Sequence, residues 1–308
     1  MTRDQVEELI RRLSGAEAVE AAEVLGALGH EALCRALNTP EVLVVPGGRR
    51  ALSAQLARQD AAAVTGALMR ALAHKDWRPV QVAFDAIQAF GERMIPVLIE
   101  NLEKEEEPAG RASTIMTLER MGASAAGNTL ARAAHEDPVS EVRLAAVQAL
   151  GRIGGDQAPA AAVAGLRDES QAVRLAAVRA AGWLRAREAV EGVIDFARAA
   201  ATDARAAAVY ALDRIGDTRA TGFVTGLLKD PAPYVRWSAA VALRRLWTAK
   251  CEAALREAIG DADEVVATAA LETLCIKRGR GSRQILLTLA SEARPALRAT
   301  AVCYISRG

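Results

Sequence analysis

Aromatic side chains make up only 4% of this 308-residue chain, and histidine occurs three times. A core so poor in rings must be built from Ala, Leu, Val and Ile, which suits closely packed helices and excludes a typical β-sandwich. Three histidines, His30, His74 and His135, leave little for a metal centre or a general base. Lysine is scarce too, with 5 Lys against 34 Arg, and a net charge of +1 excludes polyanion binding by bulk electrostatics. Cys34, Cys251, Cys275 and Cys303 form no CxxC or CxxH spacing. They read as buried, reduced thiols in an intracellular protein. No apolar run reaches the roughly 20 residues of a membrane span. The opening MTRDQVEELIRRL is a charged amphipathic segment without the apolar stretch of a signal peptide. The expectation is a cytoplasmic protein with no membrane partner. A Walker loop and a nucleophile elbow are both missing.

What is present is a repeat. Ala146, Ala177, Ala208, Ala239, Ala270 and Ala301 fall 31 residues apart, each inside a near-copy of one segment. The fullest copies are DPVSEVRLAAVQALGRIG from Asp137, DESQAVRLAAVRAAGWLR from Asp168 and DPAPYVRWSAAVALRRLW from Asp230. Self-similarity at this period predicts a stack of supersecondary units, each packing on its neighbours. Within one copy, Val142, Ala145, Ala146, Ala149, Leu150 and Ile153 form one helical stripe. Gly154-Gly155 stops that helix, a shorter second helix follows, and Asp168 opens the next unit at a plausible N-cap.

The pattern predicts an all-α, right-handed α-solenoid of about nine helical hairpins of ~31 residues plus a terminal half-repeat. The whole of 1–308 reads as one such array, with divergent repeats and a cap over 1–75 and regular repeats over 76–308. Two stretches break the beat. Residues 38–50, NTPEVLVVPGGRR, read as an extended apolar insertion, and residues 103–107, EKEEE, as an acidic loop. Val302 and Ile305 occupy core positions of the last half-unit with nothing after them to cover them. Either the terminal helix caps the array itself or another chain covers it, which would make that end a surface for self-association.

The segment D-P-x-x-x-V-R-x-A-A-x-x-A-L-G-x-I-G resembles the HEAT-like repeats named after phycobilisome lyases. Asp137, Pro138, Val142, Arg143, Ala145, Ala146, Ala149, Leu150, Gly151, Ile153 and Gly154 carry the resemblance. It implies second helices on a concave face where partners dock. Proteins of that kind include adaptors, bilin-attachment subunits, a di-iron hydroxylase and, more distantly, DNA glycosylases, so the resemblance fixes fold and not activity. The hydroxylases place His-Glu pairs after the Val-Arg step. Here those places hold Leu144-Ala145, Leu175-Ala176, Ala206-Ala207 and Trp237-Ser238. The existing pairs, His30-Glu31 and His135-Glu136, fall in expected turns, so neither metal nor cofactor is expected.

Arg143 recurs as Arg174, Arg205, Arg236 and Arg298, while Asp137, Asp168, Asp230 and Asp261 recur at the turns. Basic and acidic positions repeating together predict a ladder of ion pairs rather than a phosphate-binding stripe. No catalytic residue is assigned. A protein-interaction scaffold is the function expected, binding a basic or amphipathic partner segment on the second-helix face. Glu100, Glu191, Asp195 and Glu257 supply its acidic points, and Tyr234 and Trp237 its aromatic anchors. A bilin lyase-like enzyme or enzyme subunit is the first alternative and rests on the resemblance alone. The second alternative is nucleic-acid contact through Lys277, Arg278, Arg280 and Arg283. The groove expected from the second helices lacks the basic residues that would continue such a patch. Gly47-Gly48-Arg49-Arg50, ahead of a helix, offers a further anion position that an irregular turn explains better.

Overall fold

Each unit is dictated by two helices that cannot bury their apolar stripes alone. Ser140–Ile153 is representative of the longer, first helix, with Glu141 in its first turn and Arg152 in its last, the arrangement the helix dipole favours. It stops at Gly154 and Gly155, whose φ values of 79° and 93° suit glycine and strain other residues. One beat later the helix ends on Arg185 at φ 53°, and one beat further on Gly216 at φ 73°, both in the left-handed region. The computed structural model describes residues 2–278, 283–292 and 294–307. Among the described residues there is no strand.

The chain forms two compact units, Met1–Gly155 and Asp156–Gly308. Within the first, Ala18–Ala27 packs on Pro46–Leu56, which packs on Trp77–Phe90, and Pro108–Arg120 packs on Ser140–Ile153. Within the second, Gln171–Leu184, Thr202–Ile215, Pro233–Ala242, Glu264–Arg278 and Pro295–Arg307 each pack on the next. Shorter second helices, such as Val190–Ala199 and Glu252–Ala258, close the hairpins from one side.

The alanines that mark the beat lie in the core. Ala146, Ala177, Ala208, Ala239, Ala270 and Ala301 are all 0% exposed. At Gly182 the approach is closer still, since a Cβ there would lie 2.9 Å from the Ala211 Cα. Small residues at fixed spacing thus set the distance between neighbouring first helices.

Three local expectations change. The turn acids are not N-caps: Asp168 lies two residues ahead of the cap, Ser170, and accepts that residue's N–H at 2.8 Å. Asp137, Asp230 and Asp261 accept from Val139, Ala232 and Asp263 in the same way. The acid therefore shapes the turn, and at Asp137, Asp230 and Asp261 the same carboxylate also meets an arginine. Residues 38–50 are not extended, but form a 3₁₀ turn over Pro40–Val42 and the start of the helix Pro46–Leu56, where proline suits the first position. The His-Glu pairs are helical: His30 and Glu31 open His30–Leu37, and His135 and Glu136 close Gly127–Glu136.

Candidate functional site

The recurring arginine builds the expected ladder. Arg205 donates from Nε and Nη2 to Asp230 at 2.8 and 3.0 Å, and Arg236 does the same to Asp261 at 2.7 and 2.9 Å. In the first unit Arg111 grips Asp137 at 2.7 and 3.0 Å. The remaining guanidinium nitrogen, Nη1, turns back to carbonyls of the arginine's own turn, as Arg236 does to Asp230 and Pro231 at 2.9 and 3.2 Å. Each fork is thus fully used, and its planar geometry fixes the register between units. Hydrogen bonds from Arg236 hold the Asp261 carboxyl below the ordinary range against burial, which pushes it up. At Asp230 burial pushes upward most strongly, yet Arg205 and the Ala232 N–H together bring the carboxyl below its usual value.

The ladder has a gap. Arg174 sends Nη1 to the carbonyls of Asp168 and Glu169 at 2.6 and 2.8 Å, like every other rung. Where the next carboxylate should stand, the sequence has Ala199. The half-buried Arg174 side chain consequently faces a depression of about 400 Å³ lined by Arg167, Gln171, Glu188, Glu191, Asp195 and Ala199, among others.

A larger cleft, about 700 Å³, lies on the first-helix face of the second unit. Its walls are Trp183 and Arg179 on one side and Tyr234 and Trp237 on the other, with Tyr210, Asp203 and Asp213 on the helix between them. The cleft exists because that middle helix carries Ala206 and Ala207, where the flanking helices carry Leu175-Ala176 and Trp237-Ser238. Tyr210 is 56% and Tyr234 60% exposed. Tyr234 and Trp237 stack with centroids 5.6 Å apart at 24°, a geometry in which each ring fixes the other. Burial pushes the Asp213 carboxyl up, opposed by the charges of Arg245, Arg214 and Arg244.

The expected binding residues are therefore not all brought together. Tyr234 and Trp237 line the first-helix cleft, while Glu191 and Asp195 line the second-helix depression. The exposed acids are mostly matched locally: Asp195 by Arg198 at 2.9 Å, Glu257 by Lys229 at 3.0 Å, and Glu100, in the first unit, by Lys104. Trp183 and Tyr210 were not singled out from the sequence. The signal lies on a diagonal, because Trp183, Tyr210 and Trp237 fall 27 residues apart, one helical turn short of the 31-residue beat.

Of the basic cluster, Lys277 is exposed, Arg280 lies outside the described residues, and the side chains of Arg278 and Arg283 lie outside them too. Arg294, next along, donates to the carbonyls of Asp261 and Ala262 at 2.5 and 3.1 Å. Arg49 is not available to an anion. It is buried, donates to the Leu43 and Val44 carbonyls at 2.8 Å, and lies 4.7 Å from the centroid of the Trp77 ring. Cys251 and Cys275 are buried as expected, Cys34 is half-buried and Cys303 is exposed. Burial raises the Cys275 thiol to about 11. Val302 and Ile305 are exposed, as their place in the last half-unit anticipates. Among the described residues no group of three or more His, Cys, Asp and Glu side chains could hold a metal ion, and no helix is long and apolar enough to cross a membrane.

Stacked helical hairpins with a beat of buried alanines and an arginine ladder define an α-solenoid repeat protein. HEAT repeats match residues 95–168, 159–244 and 221–306, and the chain belongs to the HEAT-repeat family. No curated protein matches its sequence. Among solved structures it is similar to YibA of Escherichia coli, with 15% identity over 83% of this chain and 96% of that one, at a TM-score of 0.55. It is also similar to the complex of CpcE and CpcF of phycocyanin lyase from Nostoc sp. PCC7120, with 18% identity, 69% and 94% coverage, and a TM-score of 0.44. For human deoxyhypusine hydroxylase the values are 21% identity, 86% and 99% coverage, and a TM-score of 0.36.

Proposed function

We propose that this chain is a cytoplasmic protein-interaction scaffold that seats an amphipathic segment of a partner protein in the first-helix cleft. The observation carrying this reading is the aromatic cluster around an alanine floor, in which Tyr210 and Tyr234 are exposed and Trp183 and Trp237 half-buried. A cleft of about 700 Å³ exceeds one side chain and suits a turn or two of an apolar helix face. Aromatic anchors in such a position supply most of the binding energy of ordinary interfaces. The acidic point Glu191 supports a second contact, with a basic residue of the partner, on the other side of the hairpins.

A photo-crosslinking amino acid placed at Tyr210 in the native host tests the reading. A defined protein is expected to be captured, and the joint Tyr234→Ala and Trp237→Ala variant is expected to lose it while keeping its helical circular dichroism. Capture unchanged by those substitutions, or no captured protein, would overturn the cleft as the seat.

A further inference from the structure

The gap in the ladder is a second site, and its chemistry is specified by the rungs that are complete. Arg111, Arg205 and Arg236 each anchor Nη1 on carbonyls of their own turn and present Nε and Nη2 to a carboxylate between 2.7 and 3.0 Å away. Arg174 makes the same anchoring bonds, to Asp168 and Glu169. Among the described residues its Nε and Nη2 meet no acceptor. Ala199 stands at the position of Asp230 and Asp261 in the beat, and Ala200 takes the extended cap conformation that Asp230 takes in its own unit. Neither alanine fills the space, and the depression of about 400 Å³ opens in front of the fork.

We propose that Arg174 is a docking point for the carboxylate of an Asp or Glu side chain on a partner polypeptide, which completes the ladder from outside. This rests on the scaffold reading. The guanidinium is held in the geometry that Arg111, Arg205 and Arg236 use for bidentate carboxylate binding, so little orientational freedom remains to be lost on binding. The depression also specifies the company the carboxylate keeps. Arg167 adds a second cation beside Arg174, while Glu191, one turn from Asp195, offers an anion on the opposite wall. Asp195 is held by Arg198 and is already neutralised. A partner segment carrying one acid for Arg174 and one Lys or Arg for Glu191 matches both walls; a purely basic segment leaves the Arg174 fork unmet.

The test follows the Arg174 Nε–H resonance by NMR in the intact protein, titrated with acetate, with a blocked peptide bearing one Asp and one Lys, and with the same peptide bearing Asn. The Asp peptide is expected to move that resonance toward the positions of Arg205 and Arg236, and to bind at least about tenfold tighter than the Asn peptide. Ala199→Asp and Ala200→Asp test the register independently. At least one of them is expected to raise the melting temperature, shift Arg174 in the same direction, and abolish the peptide response. A silent Arg174 resonance, equal binding of the Asp and Asn peptides, or a full response in both alanine variants overturns the site. Acetate binding as tightly as the Asp peptide overturns the polypeptide as its source. Loss of the Tyr210 crosslink with an intact Arg174 response would count against the cleft and not against this site.

Discussion

Arg236 holds Asp261 through two parallel hydrogen bonds of 2.7 and 2.9 Å, joining one hairpin's first helix to the turn that opens the next. Both side chains are largely buried, so removing one partner leaves the other without its counter-charge in a poorly solvated place. Asp261→Asn is expected to destabilise the second unit by about 2 kcal/mol, less than a fully buried pair because the rim is hydrated. A urea midpoint unchanged within error would show that the ladder orders the units without stabilising them.

The ladder also sets a pH dependence. Folded Asp230 and Asp261 titrate below their ordinary value of 3.8. Their contribution is fully present above the unfolded value and is lost as pH falls through the folded values. Stability against urea should therefore fall below about pH 4, and Asp261→Asn should flatten that fall. Asp213 has the opposite sign, because burial raises it. At neutral pH its ionised form is held at a cost, and Asp213→Asn should leave stability at pH 7 unchanged or increase it. A clear loss at pH 7 would mean that its contact with Arg245, at 3.7 Å, outweighs burial.

Close helix approach makes Gly182 sensitive to a side chain, whereas Gly222 has open space around it. Gly182→Ala forces a Cβ to 2.9 Å from the Ala211 backbone and is expected to cost about 1–3 kcal/mol. Gly222→Ala, within Thr221–Gly226, meets nothing within 4 Å and should stabilise by about 0.5–1 kcal/mol through helix propensity. Thermal melts of the two variants should move in opposite directions. Equal shifts would mean that helix spacing here is adjustable.

Arg185 occupies the left-handed position that Gly216 takes in the next unit. Arg185→Gly should relieve that strain and raise stability by about 0.5 kcal/mol after the entropy of the unfolded glycine is counted. A lower melting temperature would show that the arginine's contacts exceed the strain.

The beat of alanines was legible because a small residue every 31 positions has one physical meaning, a helix contact repeated in register. The ladder was legible for the same reason: arginine and aspartate recur together at the same spacing, as members of a repeated ion pair do. The turn acids were misplaced by two residues, since an Asp that bonds the second N–H along looks in sequence like one that caps a helix. The cleft was only half visible. Tyr234 and Trp237 share one helix and stood out, but Trp183 and Tyr210 reach the same space from neighbouring helices along a diagonal that a search at fixed register misses. Ala199 was invisible for a different reason, because an absent carboxylate matters only once the geometry of the complete rungs is known.

The most direct measurement of the central claim is hydrogen–deuterium exchange on the purified protein, free and bound to the partner captured at Tyr210. Protection is expected over Gln171–Leu184, Thr202–Ile215 and Pro233–Ala242, with little change over the first unit. Protection confined to Met1–Gly155, with the second unit exchanging as in the free protein, would contradict a partner seated in the aromatic cleft.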